Sequence, residues 1–120
     1  MDIDERYTVA GILRTHAEQR PDATMLSDRD RSCTWAQHHA RACRVAHALR
    51  SEGTGPGSRV AFLDRNSAEY FETLFGCAFS GMVNVAVNWR LAPEEMSSVI
   101  DDARAEILVV DRAEKIPAGN

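Results

Sequence analysis

Three short apolar runs constrain this chain more than any other feature: VAFL at 60–63, VNVAV at 83–87 and ILVV at 107–110. Each is nearly continuous in hydrophobic side chains. A strand with one wet face alternates apolar and polar residues, whereas a strand covered on both faces has no need to. Between the runs lie segments of helical length. SAEYFETLFGCAFS (67–80) has Ser67 as N-cap and Gly81 as stop; the second opens at Pro93 and runs to about Ala103. Proline belongs in a first helical turn, and Glu94 and Glu95 complement the helix dipole. Strand, helix, strand, helix, strand at this spacing makes two βαβ units. Such crossovers are right-handed and their strands parallel. The sequence therefore predicts an α/β fold, a parallel βαβαβ sheet covered by helices.

Upstream, Thr8 is placed to cap a helix running to about Gln19, with Val9, Ile12 and Leu13 on its apolar face and Pro21 after its end. ATMLSD and SCT, joined by the polar stretch at 28–31, predict a small hairpin. Thr34 and Gln37 have capping-box spacing. The helix they open runs through WAQHHARACRVAHALRS, with Trp35, Ala42, Val45, Ala46 and Leu49 on its apolar side, and Gly53 as its stop. No repeat, low-complexity tract or linker divides the chain. It reads as one partial domain over 1–120, with a frayed tail from about 113.

Composition narrows the function classes. A chain of 120 residues, 44% hydrophobic and 27% charged, is an ordinary small globular domain or part of a larger one. A net charge of -4 argues against a nucleic-acid or anionic-membrane footprint. No apolar stretch approaches the ~20 residues of a membrane span. The acidic start, MDIDERYTV, lacks the apolar core of a signal peptide. Cys33, Cys43 and Cys77 are widely spaced, without a CxxC, which points to reduced thiols and a cytoplasmic protein. Lys115 is the only lysine, so chemistry that requires an ammonium group must use it or be absent.

In open parallel sheets, ligand crevices lie beyond the carboxyl ends of the strands. Three polar clusters end the three runs: Asp64, Arg65 and Asn66; Asn88, Trp89 and Arg90; Asp111 and Arg112. Asn66, Asn88 and Arg90 are the candidate crevice residues. The competing reading is that Asn and Asp turn chains and cap helices, with Arg90 pairing a carboxylate. His39, Cys43 and His47, at i, i+4 and i+8, carry metal-ligating groups but span too much helix for one ion. GTGPG (53–57) follows a helix, not a strand, so it reads as a surface turn and not a phosphate cradle. GxGxxG, GxxxxGK[ST] and GxSxG are all absent.

Taken together, GSRVAFLDRNS, GCAFSGMVNVAVN and NWRLAPEEM resemble the N-terminal portion of the adenylate-forming (AMP-binding) enzymes, in the fatty-acyl-CoA synthetase, or acyl-CoA ligase, branch. The resemblance runs from about Tyr7 to Asp111. One departure stands out: the family usually places a proline just before the Asn-x-Arg corner, where this chain has Ala86-Val87. The resemblance implies a large enzyme that joins a carboxylic acid to ATP with release of pyrophosphate, then passes the acyl group to coenzyme A. ATP, Mg²⁺ and coenzyme A are implied for a full-length relative and none for this chain alone. The family's phosphate loop and catalytic lysine lie outside what this chain matches. No catalytic, cofactor-binding or metal residue is carried over, and Asn66, Asn88 and Arg90 match positions that read as architectural. Adenylation needs preorganised donors around a charged phosphate, and losing even one costs ~3 kcal/mol. The expectation is an inactive scaffold. The alternatives are a stand-alone α/β binding or interaction module, and an aryl- or aminoacyl-activating relative. Baring ~400 Å² of apolar sheet face would forfeit about 10 kcal/mol. Self-association through that face, repacking of the tail over it, or marginal stability is therefore expected.

Overall fold

A computed structural model describes residues 7–28, 31–63 and 68–110. The first helix, α1 (Val9–Gln19), starts at Thr8, whose hydroxyl accepts the Gly11 amide at 2.9 Å. It ends at Arg20, just before Pro21. Strands β1 (Thr24–Asp28) and β2 (Arg31–Thr34) form the antiparallel hairpin, paired from Thr24↔Thr34 to Asp28↔Arg31. Of the polar turn predicted at 28–31, residues 29–30 lie outside the described residues, while 28 and 31 belong to the paired strands.

Helix α2 (Trp35–Ser51) opens on the full capping box: the Gln37 amide donates to Thr34 Oγ1 at 3.1 Å, and the Thr34 amide to Gln37 Oε1 at 2.9 Å. Two orphan donors of the first turn are satisfied by side chains three residues apart.

The second half is the predicted alternation: β3 (Arg59–Leu63), α3 (Ala68–Ser80), β4 (Val83–Val87), α4 (Pro93–Ala103) and β5 (Ile107–Val110). The three strands are parallel in the order β4-β3-β5. The connection from β3 steps outward to β4, and the next crosses back over β3 to β5. Two crossovers of one hand that travel in opposite directions must leave their helices on opposite faces. Packing agrees. Val60 lies in a cluster with Leu49 of α2, Cys77 of α3 and Met82. On the opposite side Ala61, Leu63 and Val87 pack with Met96, Val99 and Ile100 of α4. Val60, Ala61, Phe62 and Leu63 are all buried, which is why the VAFL run has no polar alternation. The one polar interruption, Asn84, sits on outer strand β4, with its Nδ2 3.4 Å from the Tyr70 hydroxyl.

A third cluster, Leu13, Ala42 and Phe75 with Met25, Trp35 and Phe79 around it, fastens α1 and the hairpin to α2 and α3. α2 and α3 meet closely at Gly76: a Cβ there would stand 2.6 Å from Val45 Cγ1 and 3.2 Å from the Ala42 carbonyl oxygen.

The structure corrects one face. Val9 and Ile12 do not share the buried side of α1 with Leu13; they are 48% and 42% exposed, and Gly11 takes the inner position. α1 lies with a backbone surface, not a broad aliphatic stripe, against its neighbours. The open apolar area expected of the sheet takes the form of thin cover. α4 buries no residue fully, and every residue of β5 is only half-buried.

Candidate strand-end site

The register brings Leu63, Val87 and Val110 to one level, so the chain leaves all three strands at a common rim. Asp64, Arg65, Asn66, Asp111, Arg112 and Lys115 lie outside the described residues. The β4 corner is described. Asn88 Oδ1 accepts the Arg90 amide at 3.0 Å, and the Asn88 carbonyl accepts the Leu91 amide at 3.2 Å. An Asx turn thus sits inside a β-turn. The Arg90 guanidinium lies over the Trp89 ring, 5.1 Å from its centroid. The stack sets a planar cation against an aromatic face. Asn88, Trp89 and Arg90 are all exposed.

The corner then starts a helix directly. Pro93 stands at the start of α4, and Glu95 Oε1 accepts the Ala92 amide at 3.1 Å. Alanine cannot return the bond, so this is half of a capping box. Glu94 and Glu95 lie in the first turn, where the exposed amides favour negative charge. What the β4 corner offers chemically is one stacked guanidinium and one amide already engaged in its own turn.

Of the residues weighed for metal binding, His39 and Cys43 are neighbours, with Nδ1 and Sγ 3.8 Å apart, while His47 is exposed. Among the described residues no group of three or more His, Cys, Asp or Glu could hold an ion. Nor do they include a lysine. Cys77 is an inert core thiol, its pKa pushed up to about 11 by burial.

One pair escaped the sequence. His38 is fully buried, with its Nδ1 3.8 Å from the buried Cys33 thiol and its ring edge-on to Phe75, at 5.6 Å between centroids. Burial pushes the imidazole below its ordinary pKa of 6.5; the Phe71 backbone opposes the shift and the Arg41 charge adds to it. The available signal was spacing: His38 precedes Ala42 by one turn, on the stripe that carries Ala46 and Leu49. Glu72 on α3 has a raised pKa because burial disfavours its charge, although Arg41, at 4.0 Å, partly offsets this.

A match to the AMP-binding enzyme family covers residues 13–119. The chain is 41% identical over 116 residues to a fatty acid–[acyl-carrier-protein] ligase, ScoC, of Streptomyces coeruleorubidus, covering 92% of this chain and 22% of that protein. It is 34% identical over 105 residues to the long-chain-fatty-acid–CoA ligase FadD13 of Mycobacterium tuberculosis, covering 88% of this chain and 19% of that protein. Among solved structures, a Mycobacterium tuberculosis fatty acyl CoA synthetase superposes with a TM-score of 0.82 at 32% identity, over 89% of this chain and 22% of the other. The chain thus spans about a fifth of the length of the curated relatives it matches.

Proposed function

This chain belongs to the AMP-binding enzyme family, and from that premise we propose that it is the N-terminal scaffold of an ATP-dependent ligase that activates a carboxylic acid and hands it to a thiol. In such a ligase a carboxylate oxygen attacks the α-phosphorus of ATP and pyrophosphate leaves. A thiol then attacks the acyl carbonyl and AMP leaves. The described residues do not fit the nucleotide or its Mg²⁺. They include no lysine, no acidic or histidine cluster, and no glycine-rich turn between a strand and a helix. No step is therefore assigned to the described side chains, whose part in the reaction we read as architectural. Asn88 and Arg90 shape the corner from β4 into α4; Asn66 lies outside the described residues.

The observation that carries this reading is the agreement of fold and family over nearly the whole chain. The acceptor thiol is coenzyme A on the FadD13 likeness, and an acyl carrier protein on the higher identity to ScoC. A reducing, cytoplasmic setting fits the free thiols of Cys33, Cys43 and Cys77. No helix among the described residues is long and apolar enough to cross a membrane. The direct test is pyrophosphate release by the purified 120-residue chain with ATP, Mg²⁺ and a fatty acid. Background rates are expected; turnover above background would overturn the scaffold assignment.

A second reading, a stand-alone binding or interaction module, is favoured by one observation: both faces of the sheet already carry helices. The coding sequence beyond Asn120 separates the two, since a phosphate loop in the same frame supports the ligase and its absence supports the module.

A further inference from the structure

His38 has no solvent exposure, and its Nε2 meets no hydrogen-bond partner among the described residues. Its other nitrogen faces only the Cys33 thiol, a weak partner, and an aromatic ring abuts it from α3. A neutral imidazole tolerates that site. An imidazolium carries two N–H donors and a full charge; the Phe71 backbone helps it, but burial and the Arg41 charge outweigh that help. The ionisable side chains on the surrounding helices and β2 are Arg14, His16 and Glu18 on α1, Arg31 and Cys33 on β2, His39, Arg41, Cys43, Arg44, His47 and Arg50 on α2, and Glu69, Tyr70, Glu72 and Cys77 on α3. The two acids of α3 are engaged, Glu69 with Arg31 at 2.7 Å and Glu72 with Arg41 at 4.0 Å.

We propose that His38 is an acid-operated latch: its protonation loosens the N-terminal layer, α1 with the β1–β2 hairpin, from α2 and α3 while the parallel sheet stays closed. The packing explains why release is local. The layer is held by the cluster of Leu13, Ala42 and Phe75, which is separate from the two clusters that line the sheet. His38 abuts that cluster through Phe75 and the hairpin through Cys33. The remaining ties are the exposed Arg31–Glu69 ion pair at 2.7 Å, Arg14 over the Phe79 ring, His16 against Trp35, and two backbone bonds at the seam, Trp35 N–H to the Ala23 carbonyl at 3.1 Å and Ala36 N–H to the Pro21 carbonyl at 3.1 Å. Opening relieves a buried charge and breaks only two of the seam's backbone bonds besides side-chain contacts, as expected of a low-stability cooperative unit. This inference does not depend on the ligase reading.

Hydrogen exchange of the 120-residue chain at pH 7.5 and 5.5 tests it. With the intrinsic pH dependence divided out, peptides from α1 and the hairpin should lose protection by about threefold or more at the lower pH. Peptides from β3 and β4 should keep theirs. His38→Phe, which cannot titrate and can still pack against Phe75, should abolish the difference; His16→Gln should retain it. Equal loss across β3 and β4, persistence of the difference in His38→Phe, or its disappearance in His16→Gln overturns the latch. If His38→Phe does not fold, the ring-proton NMR titration of His38 in the native chain decides. A midpoint below 6.5 supports the latch, and one at or above 6.5 overturns it.

Discussion

Gly76 shows how much one hydrogen atom in place of a methyl can decide. With Val45 Cγ1 2.6 Å from the position of a Cβ, Gly76→Ala should drive α2 and α3 apart. A loss of about 1–3 kcal/mol in urea unfolding is expected. Val45→Ala, made in the same chain, should return part of it, because it removes the methyl groups in the way; independent, additive losses would refute the steric account. Among the described residues, two side chains push the acid response in opposite directions. His38 is depressed, so its contribution is present above 6.5 and is lost as pH falls below it. Glu72 is raised, so its charge weighs on the folded state at neutral pH, and that weight lifts as pH falls through its folded value toward 4.5. The stability of Glu72→Gln relative to the native chain should therefore be more favourable at pH 7 than at pH 4. Chemical denaturation at both values reads the difference, and an unchanged gap would sink the assignment. Among residues, the Thr34–Gln37 box was legible because it is local. His38 against Cys33 was not, because it depends on how a hairpin folds back over a helix.

At the scale of elements, local signals placed all nine found among the described residues within a residue or two. Proline at the start of α4 and the N-caps of α1 and α2 act within one turn, so they survive tertiary context. Thr34→Ala should accordingly cost about 1 kcal/mol, read as a lower urea midpoint at constant slope. What one sequence cannot carry is how an element is rolled. A helical period marks an apolar stripe on α1, yet Val9 and Ile12 face outward and Gly11 inward. Strand order was equally silent, since the alternation of runs fits β3 at the centre or at an edge. At the rim, Asn88 and Arg90 were legible as candidates because they abruptly end an apolar run. Their engagement, one in an Asx turn and one on Trp89, follows from the path of the folded corner.

At the scale of the molecule, the core is lopsided. The side facing α2 and α3 is densely buried, whereas α4 contributes no fully buried residue and β5 none either. Each half-buried aliphatic on that side forgoes part of the ~25 cal/mol per Å² that full burial would supply. We expect concentration-dependent sedimentation of the isolated chain, with association weakened by placing a charge at Val83, 47% exposed on outer strand β4. A single sedimenting species from dilute to millimolar samples would argue that the thin cover suffices. The central position of β3 has a consequence of another kind. As the chain leaves the ribosome, the strand that must be flanked on both sides appears before either flank exists. Even after β4 docks, its other margin stays unclaimed for about one to five seconds of synthesis, until β5 emerges. That interval is when a nascent copy can be captured by a chaperone or by its neighbour on the same message.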